Sequence, residues 1–557
     1  MSRRAADRLD RVVDTAERAV DGRVDRTTAA VVGLAALALL LRLVDLGGRP
    51  FHWGEGRVGY WTLRYLETGA FEYRPVAGGP LLYIVDRWVF ALLGASDASA
   101  RLVVALVGGL LPLAALLYRH RLRDDETVVL AVVLAVSPTL VYYSRALRGD
   151  VPLAAFAFVA VGAVLYALDR GEERALYPAA VAAGLAFAAS GFVVTTLVCV
   201  LLAAVLVVDH ARVARAGRAA TVDRAEAAAR RLDDWVTPAA RSFLLFVGVW
   251  VVFYAPRSAP GEGFDLADPV GWLRALEATL VVPVQRFVGV RVDNRLRTGA
   301  GHPLLDFLMG YADLLATLAL PTLGLAVGAF FYDRYRPGTR PLVAFCSFWA
   351  GLSLFFFPVT AEQLAPWVVV HTLVPLSVPA AVGAAALLRF GRRAAGDRDA
   401  GRTLVATLLV VGVLLHVGSV AAWGTYGPSD RDNHLAQYGQ PADDLDPLVA
   451  NASAAIEGND AVDVVYVGEA YYTSPNDPRQ PPVGTAWGNR LPLPWYFERM
   501  GAETASVRAP GELSSSPPVV VAEPQYADDL REPLSEYRVD RYRLGLWNRE
   551  VVVFTRR

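Results

Sequence analysis

The chain has 557 residues, with 54 basic and 55 acidic side chains, a formal net charge of −1, and not one lysine among the basic residues. Without lysine there is no Walker A phosphate contact, no pyridoxal Schiff base and no kinase strand lysine, so those chemistries are excluded. A hydrophobic share of 54%, against roughly 45–50% in soluble domains, points to a membrane protein. The two cysteines, Cys199 and Cys346, sit in apolar runs as small hydrophobes and supply neither a disulfide nor a zinc framework.

Residues 1–27 are too long and too mixed in charge for the n-region of a cleaved signal peptide. They read as a cytoplasmic segment, with the first apolar run as signal anchor. A crossing of the hydrocarbon core takes roughly 17–25 mostly apolar residues. Eleven spans are expected, at about 28–46, 102–118, 127–144, 151–167, 177–190, 191–208, 241–255, 306–331, 341–358, 367–388 and 403–421. Short cytoplasmic loops are rich in arginine, and an inside N-terminus puts the arginine-rich segments 119–126, 169–177, 209–235, 332–340 and 389–402 all inside. That orientation requires the apolar run 80–95 not to cross. Asp86 and Arg87 interrupt it, and charge at the bilayer centre is costly, so the run is expected to lie on or dip into the outer interface.

The body 28–421 then exposes an external loop, 47–101, and shorter ones, and hands over to an external tail, 422–557. The tail carries 20 acidic residues and 12 arginines, net −8, against +7 for everything before it. Its apolar runs 462–468, 517–523 and 550–556 alternate with helix-like 446–458 and 493–501, as in a small α/β domain. The expected fold class is therefore mainly α and polytopic, with a small external α/β C-terminal domain. Asn451-Ala452-Ser453 is a formal N-glycosylation sequon in that tail.

Three clusters carry chemistry, and one topology places all three outside. The first is Phe51-His52-Trp53-Gly54-Glu55-Gly56-Arg57, where Glu55 is an acid between two glycines beside His52 and Arg57. Its aromatic rings also suit a plain interfacial helix. The second is Tyr143-Ser144-Arg145-Ala146-Leu147-Arg148-Gly149-Asp150, in which Asp150 can start the next helix. Arg145 and Arg148, at i and i+3, would share one side of a helical turn as a phosphate-binding fork. The third is Glu362 to Trp367, with His371 one turn into a span; an intramembrane ionisable group is a functional candidate. An acid, phosphate-holding cations and an outward-facing membrane site suit sugar transfer from a polyprenyl-phosphate donor.

The first-loop acidic motif, the segment ending in YYSRALRGD and the late PW...H...P helix resemble the GT-C membrane glycosyltransferases related to protein mannosyltransferases and aminoarabinose transferases. More narrowly, HWGEGRVGYWTLRYLETGAFEYRP, GASDASARLVVALVGGLLPLAALLYRHRLRDDE, YGQPADD and LPLPWYF are similar to the archaeal flippase activity-associated family linked to N-glycosylation. The resemblance implies a GT-C fold facing outward, a dolichyl-phosphate-linked sugar donor, a glycan or protein acceptor, and a catalytic acid in the first loop. Relatives usually show Asp-Glu where this chain has Gly54-Glu55, His-Gly-Pro where it has Gly78-Gly79-Pro80, and Thr-Lys-Glu or Thr-Lys-Gly where it has Ala189-Ser190-Gly191.

Two readings follow. In one the chain is an enzyme of the multi-pass cell membrane, with Glu55 as catalytic base and Asp150 as second acid. His52, Arg57, Tyr143, Arg145, Arg148, Glu362, Trp367 and His371 then line the substrate site, and two carboxylates on separate loops would hold one divalent ion or none. In the other the fold persists without transfer and the chain binds, or helps to translocate, lipid-linked glycan. Nucleic acid is not an expected partner, since arginine is dense only in cytoplasmic loops.

Overall fold

The computed structural model describes residues 25–73, 78–215, 218–257, 269–289, 304–335, 339–361, 364–429, 432–436, 439–474, 485–544 and 549–557. The polytopic helical body and the small C-terminal sheet domain are both present. Asp25 caps the first helix, α1 (Arg26–Leu43), by accepting from the Thr27 and Thr28 N–H groups. The stretch after it forms two helices, α2 (Trp53–Thr68) and α3 (Pro80–Leu93), before α4 (Asp97–Leu110) runs on into a 3-10 stretch to Tyr118. The bent pair α5 (Asp124–Val136) and α6 (Pro138–Ser144) breaks at Pro138 by 52°, as expected where proline forfeits a backbone donor. Next come α7 (Asp150–Arg170), α8 (Leu176–Ala189), α9 (Val193–Arg215) and α10 (Arg218–Tyr254).

Two short helices, α11 (Pro269–Leu276) and α12 (Val282–Val288), precede α13 (Leu304–Tyr335), α14 (Pro341–Thr360), α15 (Val370–Gly396) and α16 (Ala400–Ser419). Among the described residues eight helical segments are long and apolar enough to cross a membrane, nine if the bent pair counts as one span. The protein is a multi-pass membrane protein. All eleven expected spans fall on helices. Two of those helices stop short of full spans: Leu176–Ala189 has 14 residues, and the apolar part of α9 is Val193–Val208. The segment Pro366–Gly396 is 89% buried over its apolar window, whereas Ala400–Thr425 is 6% buried. The first is therefore the central post of the body and the second a helix facing lipid.

The run 80–95 forms α3, whose 14 residues reach about 21 Å at 1.5 Å per residue, short of a core about 30 Å thick. Trp88, Leu92 and Leu93 are exposed on it, while Asp86 is fully buried. The aspartate that argued against a crossing thus points into the protein, and helix length now carries the argument.

The C-terminal domain is a five-stranded sheet of order β2-β1-β3-β5-β4. Strands β1 (Val464–Val467), β2 (Thr504–Val507) and β3 (Val519–Ala522) are parallel; β4 (Tyr537–Leu544) and β5 (Arg549–Arg556) add antiparallel to β3. The three expected runs became β1, β3 and β5. The expected helices are α17 (Asp446–Ile456) and, after a short α18 (Thr485–Asn489), α19 (Leu493–Arg499). β2 and β4 went unread, since TASV is short and polar and YRVDRYRL puts charges on its exposed face. The sequon lies inside α17 with the Asn451 amide nitrogen buried and Ser453 exposed.

Candidate active site

The segment that carries Glu55 is held from both sides. Its start leans on the C-terminal domain: Trp53 N donates to Gly439 O at 2.7 Å, Gln440 Nε2 to Pro50 O at 2.7 Å, and Trp53 Nε1 to Gly488 O at 2.7 Å. Phe51 stacks on Trp495 at 4.7 Å between centroids, and its N–H donates to the Tyr496 hydroxyl. Asp97, opening α4, accepts from Trp495 Nε1, Tyr496 Oη and Arg499 Nη1. Gly56 and Gly59 permit the approach, since a Cβ there would meet Pro492 at 2.9 Å and Trp495 at 2.7 Å. The two tail motifs, YGQPADD and LPLPWYF, are therefore the clamp on the loop that carries Glu55.

Glu55 is sealed in that clamp. It is 0% exposed and accepts four hydrogen bonds: Arg101 Nε at 2.8 Å and Leu147 N at 2.7 Å on Oε1, Arg101 Nη2 at 2.9 Å and His52 N at 2.9 Å on Oε2. The last is half of a capping box in which His52 Nδ1 accepts from Gly54 N at 2.9 Å. Burial pushes the Glu55 pKa up, but the Arg101 guanidinium, then Arg49 and the His52 N–H, outweigh it and hold the carboxyl at about 2. A carboxylate has about four acceptor positions, and all four are filled. Arg101, itself fully buried, was missed in the sequence; an arginine at the edge of an apolar run was its signal.

Asp150 is placed differently. It opens α7 and, among the described residues, accepts from two groups, Arg148 Nε at 3.0 Å on Oδ2 and His371 Nε2 at 3.2 Å on Oδ1. Each oxygen keeps an acceptor position for a further partner. The His371 ring stacks on Phe357 at 4.5 Å and meets Phe192 edge-on at 5.7 Å. The Arg148 guanidinium lies 3.8 Å from the Trp367 ring centroid, on a side chain 20% exposed, and His52 meets the same indole edge-on at 5.8 Å. Backbone packing fixes the Asp150 end: a Cβ on Gly149 would lie 2.0 Å from Ala189 O, and one on Gly79 2.0 Å from Ala188 O. Two glycines thus grip the end of α8 and place the start of α7 beside α15.

The structure gathers His52, Arg148, Asp150, Trp367 and His371 into one cluster. It separates the others. The expected Arg145–Arg148 fork does not form, because α6 ends at Ser144 and the chain turns before α7. Arg145 instead donates to Asp45 O at 2.7 Å and faces Tyr426. Tyr143 is buried with its hydroxyl on Leu435 O at 2.7 Å. Arg57 lies over Trp53 at 4.3 Å. Glu362 lies outside the described residues. Among the described residues no group of three or more His, Cys, Asp or Glu side chains comes together around a metal position.

Residues 77–220 match the family model described as dolichyl-phosphate-mannose-protein mannosyltransferase, and residues 445–556 the one described as Agl23 flippase-associated protein C-terminal domain. Each match spans less than half of the chain, which is thus similar to these two families over those segments. ArnT from Cupriavidus metallidurans bound to undecaprenyl phosphate shares the fold at 18% identity and a TM-score of 0.54, over 95% of this chain and 98% of that one. The archaeal oligosaccharyltransferase AglB from Archaeoglobus fulgidus, in complex with an inhibitory peptide and a dolichol-phosphate, does so at 14% identity and 0.50, over 94% and 74%. No curated protein matches the chain. Gly54, where the resemblance expects an acid, would direct a Cβ to 3.4 Å from Arg148 Nη1 and 3.3 Å from His52 Nδ1, so a side chain there would enter the Asp150 cluster.

Proposed function

We propose that the chain transfers a sugar from a polyprenyl-phosphate-linked donor, dolichyl phosphate being the expected carrier, to a glycan or protein acceptor at the outer membrane face, the C-terminal domain being extracellular and the N-terminus cytoplasmic. The observation that carries the reading is Asp150, a carboxylate held on one oxygen by His371 and on the other by Arg148, with acceptor capacity left on both. In one displacement, the acceptor hydroxyl gives its proton to Asp150 as its oxygen bonds to the anomeric carbon. The bond from that carbon to the phosphate oxygen breaks with inversion, and the charge gathering on the departing lipid phosphate meets Arg148. His371 acts through Asp150 as a positioning residue, and Trp367 fixes the Arg148 plane. Glu55 takes the role of holding the loop rather than that of base.

Membranes containing wild type should pass label from a dolichyl-phosphate sugar to endogenous acceptor. Asp150→Asn should lose at least about 100-fold, within the range for a general base, and Arg148→Gln should lose transfer as well. Equal transfer by Asp150→Asn and wild type would end the reading. A second reading is favoured by Gly54, which leaves Arg148 without the acid that the resemblance places beside it: a chain that binds or helps to translocate lipid-linked glycan without transfer. It predicts that Arg148→Gln abolishes function in cells while Asp150→Asn is tolerated.

A further inference from the structure

A second polar cavity lies on the other side of the Glu55–Arg101 pair. It has a volume of about 260 Å³ and is walled by the loop after α1, the α6–α7 turn and the segments 425–429 and 441–444. Arg49 and Arg145 face it together. Arg49 Nη2 donates to Arg145 O at 3.1 Å while its guanidinium covers Tyr142 at 4.2 Å, and Arg145 donates to Asp45 O while facing Tyr426 at 4.9 Å. Neither makes an ion pair with a carboxylate among the described residues, and Arg49 Nε is buried with no hydrogen-bond partner. Arg101, Arg340 and Arg389 are matched to acids, to Glu55, to Glu126 and Asp333, and to Asp125, whereas the fully buried Arg42 is held on the carbonyls of Ala38, Leu134 and Ala135 deep among helices.

Of the acids on the cavity rim, Asp443 gives both oxygens to Arg543 and Asp444 accepts from Asp446 N, while Asp45 lies near enough for its charge to act on Arg145 without an ion pair to it among the described residues. Two guanidiniums brought this close repel each other. Burial, and behind it the charges of Arg49 and Arg101, hold the Arg145 pKa below its ordinary value. A stable anion between them relieves that repulsion, and the donor fork of arginine matches planar carboxylates and phosphates.

We infer that the Arg49–Arg145 cavity is a binding site for an oxyanion, a carboxylate or phosphate carried on a ligand no larger than a monosaccharide, distinct from the Asp150 cluster. The inference stands independently of sugar transfer, since it concerns binding alone. Calorimetric titration of the purified full-length protein, at constant ionic strength, with inorganic phosphate, glucuronate and glucose tests it. At least one of the two anions should bind saturably and glucose should not. Phosphate alone binding assigns the site to free or esterified phosphate; glucuronate alone assigns it to an acidic sugar. Arg49→Gln and Arg145→Gln should each weaken binding about tenfold or more, the loss expected for a charge-assisted hydrogen bond, whereas Arg148→Gln should leave it unchanged. Arg145→Lys, which keeps the charge, should retain part of the affinity and guards against a misfolded Gln variant. Absence of binding by both anions, equal binding of glucose, or loss with Arg148→Gln but not Arg49→Gln would each overturn the site.

Discussion

Replacing Glu55 by Gln separates a holding role from a catalytic one, because the side chain keeps its size and loses its charge. Four donors converge on the carboxylate, two on each oxygen. An amide presents one oxygen and one NH2, so whichever way it is turned two donors face another donor. Either Arg101 Nε and Leu147 N, or Arg101 Nη2 and His52 N, lose their acceptor. Each orphaned buried donor costs about 1–3 kcal/mol, and breaking a buried ion pair by removing one charge costs about 3–5 kcal/mol. These describe the same loss and are not summed; about 3–5 kcal/mol is the expected destabilisation. The thermal midpoint of the purified protein should fall by several degrees, and Glu55→Gln combined with Arg101→Met should recover part of it, because the uncompensated cation is gone. A Glu55→Gln protein that melts with wild type yet has no transferase activity would refute this reasoning and return Glu55 to the role of base.

Three further outcomes are expected. Asp86 is buried with both carboxyl oxygens lacking a hydrogen-bond partner, and burial pushes its pKa well above the carboxylate range. Its contribution to stability is therefore fully present below about pH 3.9, the unfolded value, and is lost as pH rises toward the raised native value. Asp86→Asn should raise the melting temperature at pH 8 more than at pH 5, and a pH-independent difference would contradict the assignment. Asp97→Ala removes the acceptor of three groups on α19 and should cost about 2 kcal/mol or more, with limited proteolysis releasing the C-terminal domain sooner; an unchanged cleavage rate would count against the clamp. His371→Gln should lower kcat with little change in KM, since the side chain reaches Asp150 and not the substrate, and a change confined to KM would place it against substrate instead.

How much of this was readable depended on whether a signal was local. The spans are local: a run of apolar residues closes its own backbone hydrogen bonds as a helix whatever surrounds it, and every expected span fell on one. The strands with continuous valine, β1, β3 and β5, were legible for the same reason, while β4 was not, because only one of its faces is buried. The site was half legible. Asp150, Arg148 and His371 were named from residue type and from falling on one face, although residues 150 and 371 meet only in the folded chain. Their partners Phe357 and Phe192 look like any apolar span residue. The Arg145–Arg148 spacing misled because i and i+3 share a side only while a helix continues, and this one stops at Ser144.

Glu55 shows why residue type alone does not reveal how an acid is held. An acid between glycines in an external loop appears accessible, yet the glycine at 56, like that at 59, admits the C-terminal domain rather than a substrate. His52-Trp53-Gly54-Glu55 also has the spacing of a capping box, a local signal that the acid is spent on backbone. Once Glu55 is committed to Arg101, two neighbourhoods of that pair become distinct. On one side Arg148 and Asp150 share a site with Trp367 and His371; on the other Arg49 and Arg145 share a cavity with the C-terminal domain. The Glu55–Arg101 pair touches both, since Leu147 N between the two arginines donates to Glu55 while Arg101 lines the cavity. A buried ion pair is weak evidence for net stability, but one that fixes the turn between Arg145 and Arg148 determines which way each arginine points. Loosening it should therefore alter both sites together, whereas a substitution confined to either site should leave the other intact.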